Sequence, residues 1–94
     1  MNNEEIKTLE EELKLNYNDC NIKIRFNGLV GLSFDIDNLK SLVNRKRIIL
    51  SNGKCIDFEI LTTMVLQQEI TNKNIIIYMI KGYSVTIEKW RNKK

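Results

Sequence analysis

Several groups of side chains in this chain have types and spacings that bear on chemistry. Asp35 and Asp37 stand two residues apart where a strand pattern gives way to a helix pattern. Two carboxylates so placed hold a hard cation only when further oxygen ligands arrive from elsewhere. No third ligand accompanies them, and Asp37 is accounted for as a helix N-cap. Asp57 and Glu59 alternate along a strand and share one face, a spacing suited to pairing with basic residues on a neighbouring strand. Neither pair reads as a raised-pKa acid beside an ionised base, because the sequence marks no enclosing pocket. Cys20 and Cys55 fall beside strand residues and are expected as free thiols packing as small hydrophobes.

The basic residues form the densest pattern. Arg45, Lys46 and Arg47 are consecutive, and Lys89, Trp90, Arg91, Lys93 and Lys94 crowd the C-terminal end. Cationic groups neutralise phosphates and an aromatic ring offers a base a stacking surface, so these eight residues outline a nucleic-acid footprint. They also suit the solvated rim of a protein interface, where a Trp such as Trp90 serves as an anchor. No helix-turn-helix, RNA-recognition or zinc-finger pattern accompanies them.

What is missing narrows the field. The chain has no histidine, and with it goes the commonest general acid/base and metal ligand, so triads, zincins and deaminase-type zinc sites are excluded as usually built. Ser33, Ser41, Ser51 and Ser84 therefore lack an activating partner, and neither cysteine has an evident adjacent base. The spacing of Gly28 and Gly31 matches no phosphate-binding loop. A non-enzymatic protein without a cofactor or metal is the expectation.

The elements that must position these residues follow from periodicity. Ile6, Leu9 and Leu13 form one stripe among glutamates, predicting an amphipathic helix over residues 4–15, capped by Asn2 or Asn3. Cys20, Ile22, Ile24 and Phe26 alternate with polar residues, as do Val30, Leu32, Phe34 and Ile36, which predicts two paired strands. A three-residue connection would match their apolar faces by pairing Phe26 with Val30, Ile24 with Leu32 and Ile22 with Phe34. Asp37 then opens a short helix to residue 44, with Leu39, Leu42 and Val43 on one face. Asn52-Gly53 signals a hairpin between residues 48–50 and 55–60. Residues 61–71 read as an extended strand. A two-residue turn at Lys81-Gly82 would close the last hairpin, pairing Ile80 with Tyr83, Tyr78 with Val85 and Ile76 with Ile87. Its first strand, residues 75–80, is apolar on both faces and asks for cover on both.

These elements predict a single α+β domain over residues 1–94. Its antiparallel sheet has five to seven strands in hairpins or a meander, flat or curled, with the N-terminal helix and the second short helix beside it. At 94 residues, with 43% hydrophobic and 29% charged residues, one core fits and a deep pocket does not. No apolar run reaches the roughly 20 residues of a membrane span, and the opening residues lack a signal-sequence pattern, so a cytoplasmic location is expected. Net charge is +3 but divided: residues 1–19 carry six acids against two lysines, a net −4 that leaves +7 beyond them. Such complementary ends attract within a fold or between copies.

With two helices offering cover for one face only, the reading is a small protein-binding module, an adaptor or inhibitor, that self-associates. The Ile, Asn and Lys bias fits AT-rich coding, as in low-GC bacteria and their phages, so an anti-defence protein of a phage or mobile element is one such role. The alternative is a nucleic-acid-binding accessory protein using residues 45–47 and 89–94.

Overall fold

The computed structural model describes residues 1–90, apart from the side chains of Ile56 and Asp57. The N-terminal helix α1 spans Asn3–Asn16 and starts at a reciprocal capping box. There the Glu5 N–H donates to Asn2 Oδ1 at 2.8 Å and the Asn2 N–H donates to Glu5 Oε1 at 2.9 Å, satisfying two donors that a helix start leaves open. Leu9 and Leu13, four residues apart on one face, are fully buried, and Tyr17 follows them into the core at the helix end. Asp19 then turns the chain at φ 68°, a left-handed conformation that Asp tolerates better than most residues.

Among the described residues eight strands follow: β1 (Ile22–Asn27), β2 (Gly31–Ile36), β3 (Lys40–Val43), β4 (Arg47–Ser51), β5 (Ile56–Leu61), β6 (Val65–Ile70), β7 (Asn74–Met79) and β8 (Ser84–Lys89). They make two antiparallel sheets rather than one, a five-stranded sheet in the order β2-β1-β8-β7-β6 and a three-stranded sheet in the order β3-β4-β5. The α+β class and antiparallel pairing are as expected.

The short helix expected over residues 37–44 is replaced by β3. Its residues are held by neighbours distant in sequence. Leu39 exchanges backbone hydrogen bonds with the 19–20 turn, its N–H donating to Cys20 O and its carbonyl accepting from Asp19 N–H. Asn18 Oδ1 accepts from the Ser41 N–H at 3.1 Å and the Ser41 hydroxyl at 2.8 Å, while Lys40 pairs with Asp19. Pairing with β4 then completes the ladder. Tertiary partners for the backbone outweigh a weak local helix pattern.

Two hairpins keep the expected pairing partners but change register. In β1–β2 the observed pairs are Ile22↔Ile36, Ile24↔Phe34 and Phe26↔Leu32. The shift is two residues from the expected register, so the apolar sets still share a face. Asn27 is drawn into the ladder opposite Gly31, which leaves residues 28–30 as the turn.

In β7–β8 the shift is one residue, and it exchanges the faces. Ile75 pairs with Ile87 and Ile77 with Val85, and Met79 N–H donates to Tyr83 O across a tight turn in which Lys81 sits at φ 63° and Gly82 at φ 77°. The turn therefore holds Ile80, Lys81 and Gly82 rather than two residues. Ile75, Ile77 and Met79 face the core, and Ile76 and Tyr78 face outward opposite Thr86 and Ser84. Both faces of β7 are apolar, so hydrophobicity alone did not choose between these registers; the full burial of Val85 and Ile87 on the next strand did.

The Asn52-Gly53 hairpin forms as expected, with Gly53 at φ 91° and a bulge at Leu50/Ser51. Residues 61–71 are extended after a single 3-10 turn at Thr62–Met64. One core joins both sheets and the helix: Ile22, Ile24, Ile75, Ile77, Val85 and Ile87 face Val43, Ile48, Leu50 and Ile60, with Leu9, Leu13 and Tyr17 joining the same cluster. The second sheet supplies cover that the expected helices could not. No helix among the described residues is long and apolar enough to cross a membrane.

Candidate functional site: an exposed apolar edge

The β1–β2 hairpin ends in a group of aromatic rings. Phe26 lies against Phe58 with ring centroids 6.2 Å apart and edge-on to Tyr83 at 5.7 Å. Phe34 meets Phe58 at 5.6 Å. These separations suit tilted and edge-to-face contacts. The rings close one end of the core, and the turn backbone at Gly28 folds down onto Phe26.

Beyond the rings the surface remains apolar. Leu29 is 92% exposed, Val30 70% and Leu32 57%. One exposed leucine is ordinary, but three large apolar residues within four positions of one hairpin form a patch of the kind that binds another surface. Sequence periodicity missed this, placing Val30 inside as the first residue of a strand. The legible signal was Leu29-Val30 directly after Gly28, since consecutive apolar residues in a turn cannot both point inward.

The same patch flanks an open sheet edge. β2 is the outermost strand of its sheet, and the backbone of residues 31–36 bonds only to β1 among the described residues. It contains no lysine, no proline and no bulge. The other outer strands are guarded, as sheet edges usually are. β3 is tied to Asn18 through Ser41. β4–β5 carries a bulge, and Glu59 on β5 is paired with Arg47 at 3.2 Å. β6 begins with a bulge, and Gln68 Nε2 donates to Glu5 O of α1 at 3.1 Å.

The expected basic residues fall into separate places. Arg45 and Lys46 are exposed on the β3–β4 turn, whose form comes from Asn44 Oδ1 accepting the N–H groups of Lys46 at 2.8 Å and Arg47 at 3.0 Å. The Thr62 hydroxyl donates to Arg45 O and the Thr62 N–H to Lys46 O, fastening the turn to the end of β5. An open concavity of about 500 Å³ lies beside it, lined by Leu42, Asn44, Arg45, Lys46, Arg47 and Ile49.

Lys89 and Trp90 lie at the other end of β3 and on opposite faces of the chain. Lys89 Nζ sits 5.8 Å from the Tyr17 ring centre and Lys23 Nζ 4.7 Å from that of Trp90, which is 46% exposed. Tyr17 precedes Asn18, the residue that holds the start of β3, whereas Arg45 follows its end. A four-residue strand of about 13 Å therefore intervenes. Arg91, Lys93 and Lys94 lie outside the described residues. The phenol of Tyr17 has its pKa raised above the ordinary 10.0, by burial first and by the carboxylates of Glu12 and Glu88 second.

The remaining candidates do not assemble into a reacting centre. Asp35 and Asp37 are both exposed, and with β3 in place of a helix Asp37 caps nothing helical. Among the described residues no three Cys, Asp or Glu side chains converge. Cys20 packs against the core, as expected; Cys55 is exposed in the β4–β5 turn, because the strand begins one residue later. No family model matches this chain, and comparison with curated proteins and with solved structures returns no match.

Proposed function

We propose that this protein is a small non-enzymatic binding module, an adaptor or inhibitor, which engages a protein partner through the tip of the β1–β2 hairpin. The observation that carries this reading is the exposure of Leu29, Val30 and Leu32 together, next to an unguarded strand edge. Apolar anchors surrounded by polar groups are the usual energetic centre of an interface. Arg25 and Lys23 on the neighbouring strand supply a polar, cationic border. A partner with an apolar groove and an acidic margin matches this surface. Inhibition of a larger enzyme, including a host defence enzyme, is one use of such a module.

The test compares wild type with a Leu29→Glu/Val30→Glu variant as baits in extract from the source cells. Both positions are exposed in the turn, so the fold is expected to persist, and circular dichroism checks this. Proteins retained by wild type and lost with the variant are the expected result. Identical retention, or none with wild type, overturns the reading. Salt-dependent retention of DNA or RNA that Arg45→Ala/Lys46→Ala abolishes would instead assign the function to the basic turn.

A further inference from the structure

We propose that the concavity beside the β3–β4 turn is a second binding surface, distinct from the hairpin tip, which takes an acidic peptide segment carrying one large apolar side chain. Its two parts are an apolar floor and a cationic rim. Leu42 and Ile49 are directly opposed on β3 and β4, on the face turned away from the core, and they line the floor, with Leu42 53% exposed. Arg45, Lys46 and Arg47 line the same concavity. Leu61, across from Arg47 on β5 and 48% exposed, carries the apolar surface past the turn.

The turn that bears the cations is held in place. Asn44 Oδ1 accepts the N–H groups of Lys46 and Arg47, and Thr62 fastens the carbonyls of Arg45 and Lys46. A ligand therefore meets a backbone that it does not have to order. Arg47 is paired with Glu59 at 3.2 Å, whereas neither Arg45 nor Lys46 has a carboxylate partner among the described residues. Three cations against one carboxylate leave a surplus of two positive charges beside the floor. Carboxylates on either side of a large apolar residue complement both parts together.

Other ligand classes fit less well. The concavity is open, so a small molecule would keep much of its surface in water, whereas small-molecule sites bury about 70–90% of their ligand. A peptide continues past the opening on both sides. Nucleic acid lacks a stacking surface here, because the floor is aliphatic, and Glu59 interrupts the run of cations on this face. A bilayer is met by projecting apolar side chains, whereas Leu42 and Ile49 line a hollow.

The probe is a fluorescein-labelled peptide with a central Leu flanked on each side by two Glu, titrated with the full chain and followed by anisotropy. Saturable binding is expected, weakening as salt rises from about 0.05 M to about 0.5 M. Arg45→Glu/Lys46→Glu is expected to raise the dissociation constant about tenfold or more, and Leu42→Ser about threefold or more. All three positions are exposed, and circular dichroism checks that the variants fold. Leu29→Glu/Val30→Glu is expected to leave peptide binding unchanged, so this surface and the hairpin tip stand or fall separately. Amide NMR shifts of the wild-type chain locate the peptide without any substitution and are expected at residues 42–49 and 61.

No saturable binding up to about 1 mM peptide, shifts centred elsewhere, or equal binding of a peptide with Ser in place of the Leu overturns the inference. So does tighter binding of oligouridylate or of phosphatidylserine vesicles at the same residues, which would assign the surface to a phosphate-bearing ligand. Self-association that Arg45→Glu/Lys46→Glu abolishes would also overturn it, by making the acidic helix of a second copy the occupant.

Discussion

Replacing Gly28 by alanine tests whether the hairpin tip is shaped by close approach rather than by backbone conformation. Gly28 is not among the glycines with positive φ, so an alanine there carries no left-handed strain. Its Cβ would instead lie 2.6 Å from Cε2 of Phe26 and 2.9 Å from Cζ. Ordinary carbon contacts are about 3.5–4.0 Å, so the ring must retreat by about 1 Å. It cannot do so freely, because Phe58 and Tyr83 flank it.

Overpacking of this kind costs about 1–3 kcal/mol, and the lower entropy of the unfolded chain with alanine returns about 0.4–1 kcal/mol. The net expectation is a loss of about 1–2 kcal/mol, with the melting temperature falling about 4–8 °C for each kcal/mol in a domain of this size. Urea unfolding followed by far-UV circular dichroism measures it. The decisive comparison is the double variant Gly28→Ala/Phe26→Leu. Removing the ring removes the clash, so the double variant is expected to lose less than the sum of the singles by at least about 0.5 kcal/mol. Stability of Gly28→Ala at or above wild type, or strict additivity with Phe26→Leu, would refute the packing argument.

Two further predictions concern the junction of α1 and β3. Asn18→Ala removes the acceptor for the Ser41 N–H and hydroxyl and is expected to cost about 1–3 kcal/mol. Asn18→Asp keeps an acceptor and should retain most of the stability, so equal damage from both in thermal melts would contradict the assignment. Tyr17 tests burial through pH: its phenol pKa is raised on folding, so its contribution is fully present below the unfolded value of about 10 and is lost as pH rises through the higher folded value. Wild type should therefore lose stability relative to Tyr17→Phe above pH 10, and a difference in urea midpoint constant from pH 8 upward would show that the hydroxyl is not desolvated.

Where one solution dominated locally, sequence and structure agree. The Asn2 cap, one of the two asparagines expected, the Leu9–Leu13 stripe and the Asn52-Gly53 turn all rest on residues within four positions of each other, and all form. Disagreement begins where a distant partner had the deciding part. Residues 37–44 carry a weak helix stripe, and hydrogen bonds that Ser41 and Leu39 donate to Asn18 Oδ1 and Cys20 O selected the strand. The β7–β8 register was open because Ile75–Ile80 is apolar at every position. Of the candidate site, Arg45 and Lys46 stand exposed on the β3–β4 turn, while the exposed hairpin tip was hidden because its residues match a buried strand in type.

The amino-acid sequence by itself determined the class of this protein: an α+β chain with antiparallel pairing, an acidic amphipathic helix in front, and no histidine around which to build the usual catalytic sites. Local propensity and side-chain alternation suffice for that, since each acts over a few residues. Tertiary structure alone decided that the strands divide into two sheets around one core, which face of β7 is buried, and that β2 is left as an unguarded edge beside Leu29, Val30 and Leu32. Those outcomes depend on which backbone groups and apolar faces find partners across the whole chain, and exposure is what remains after that competition.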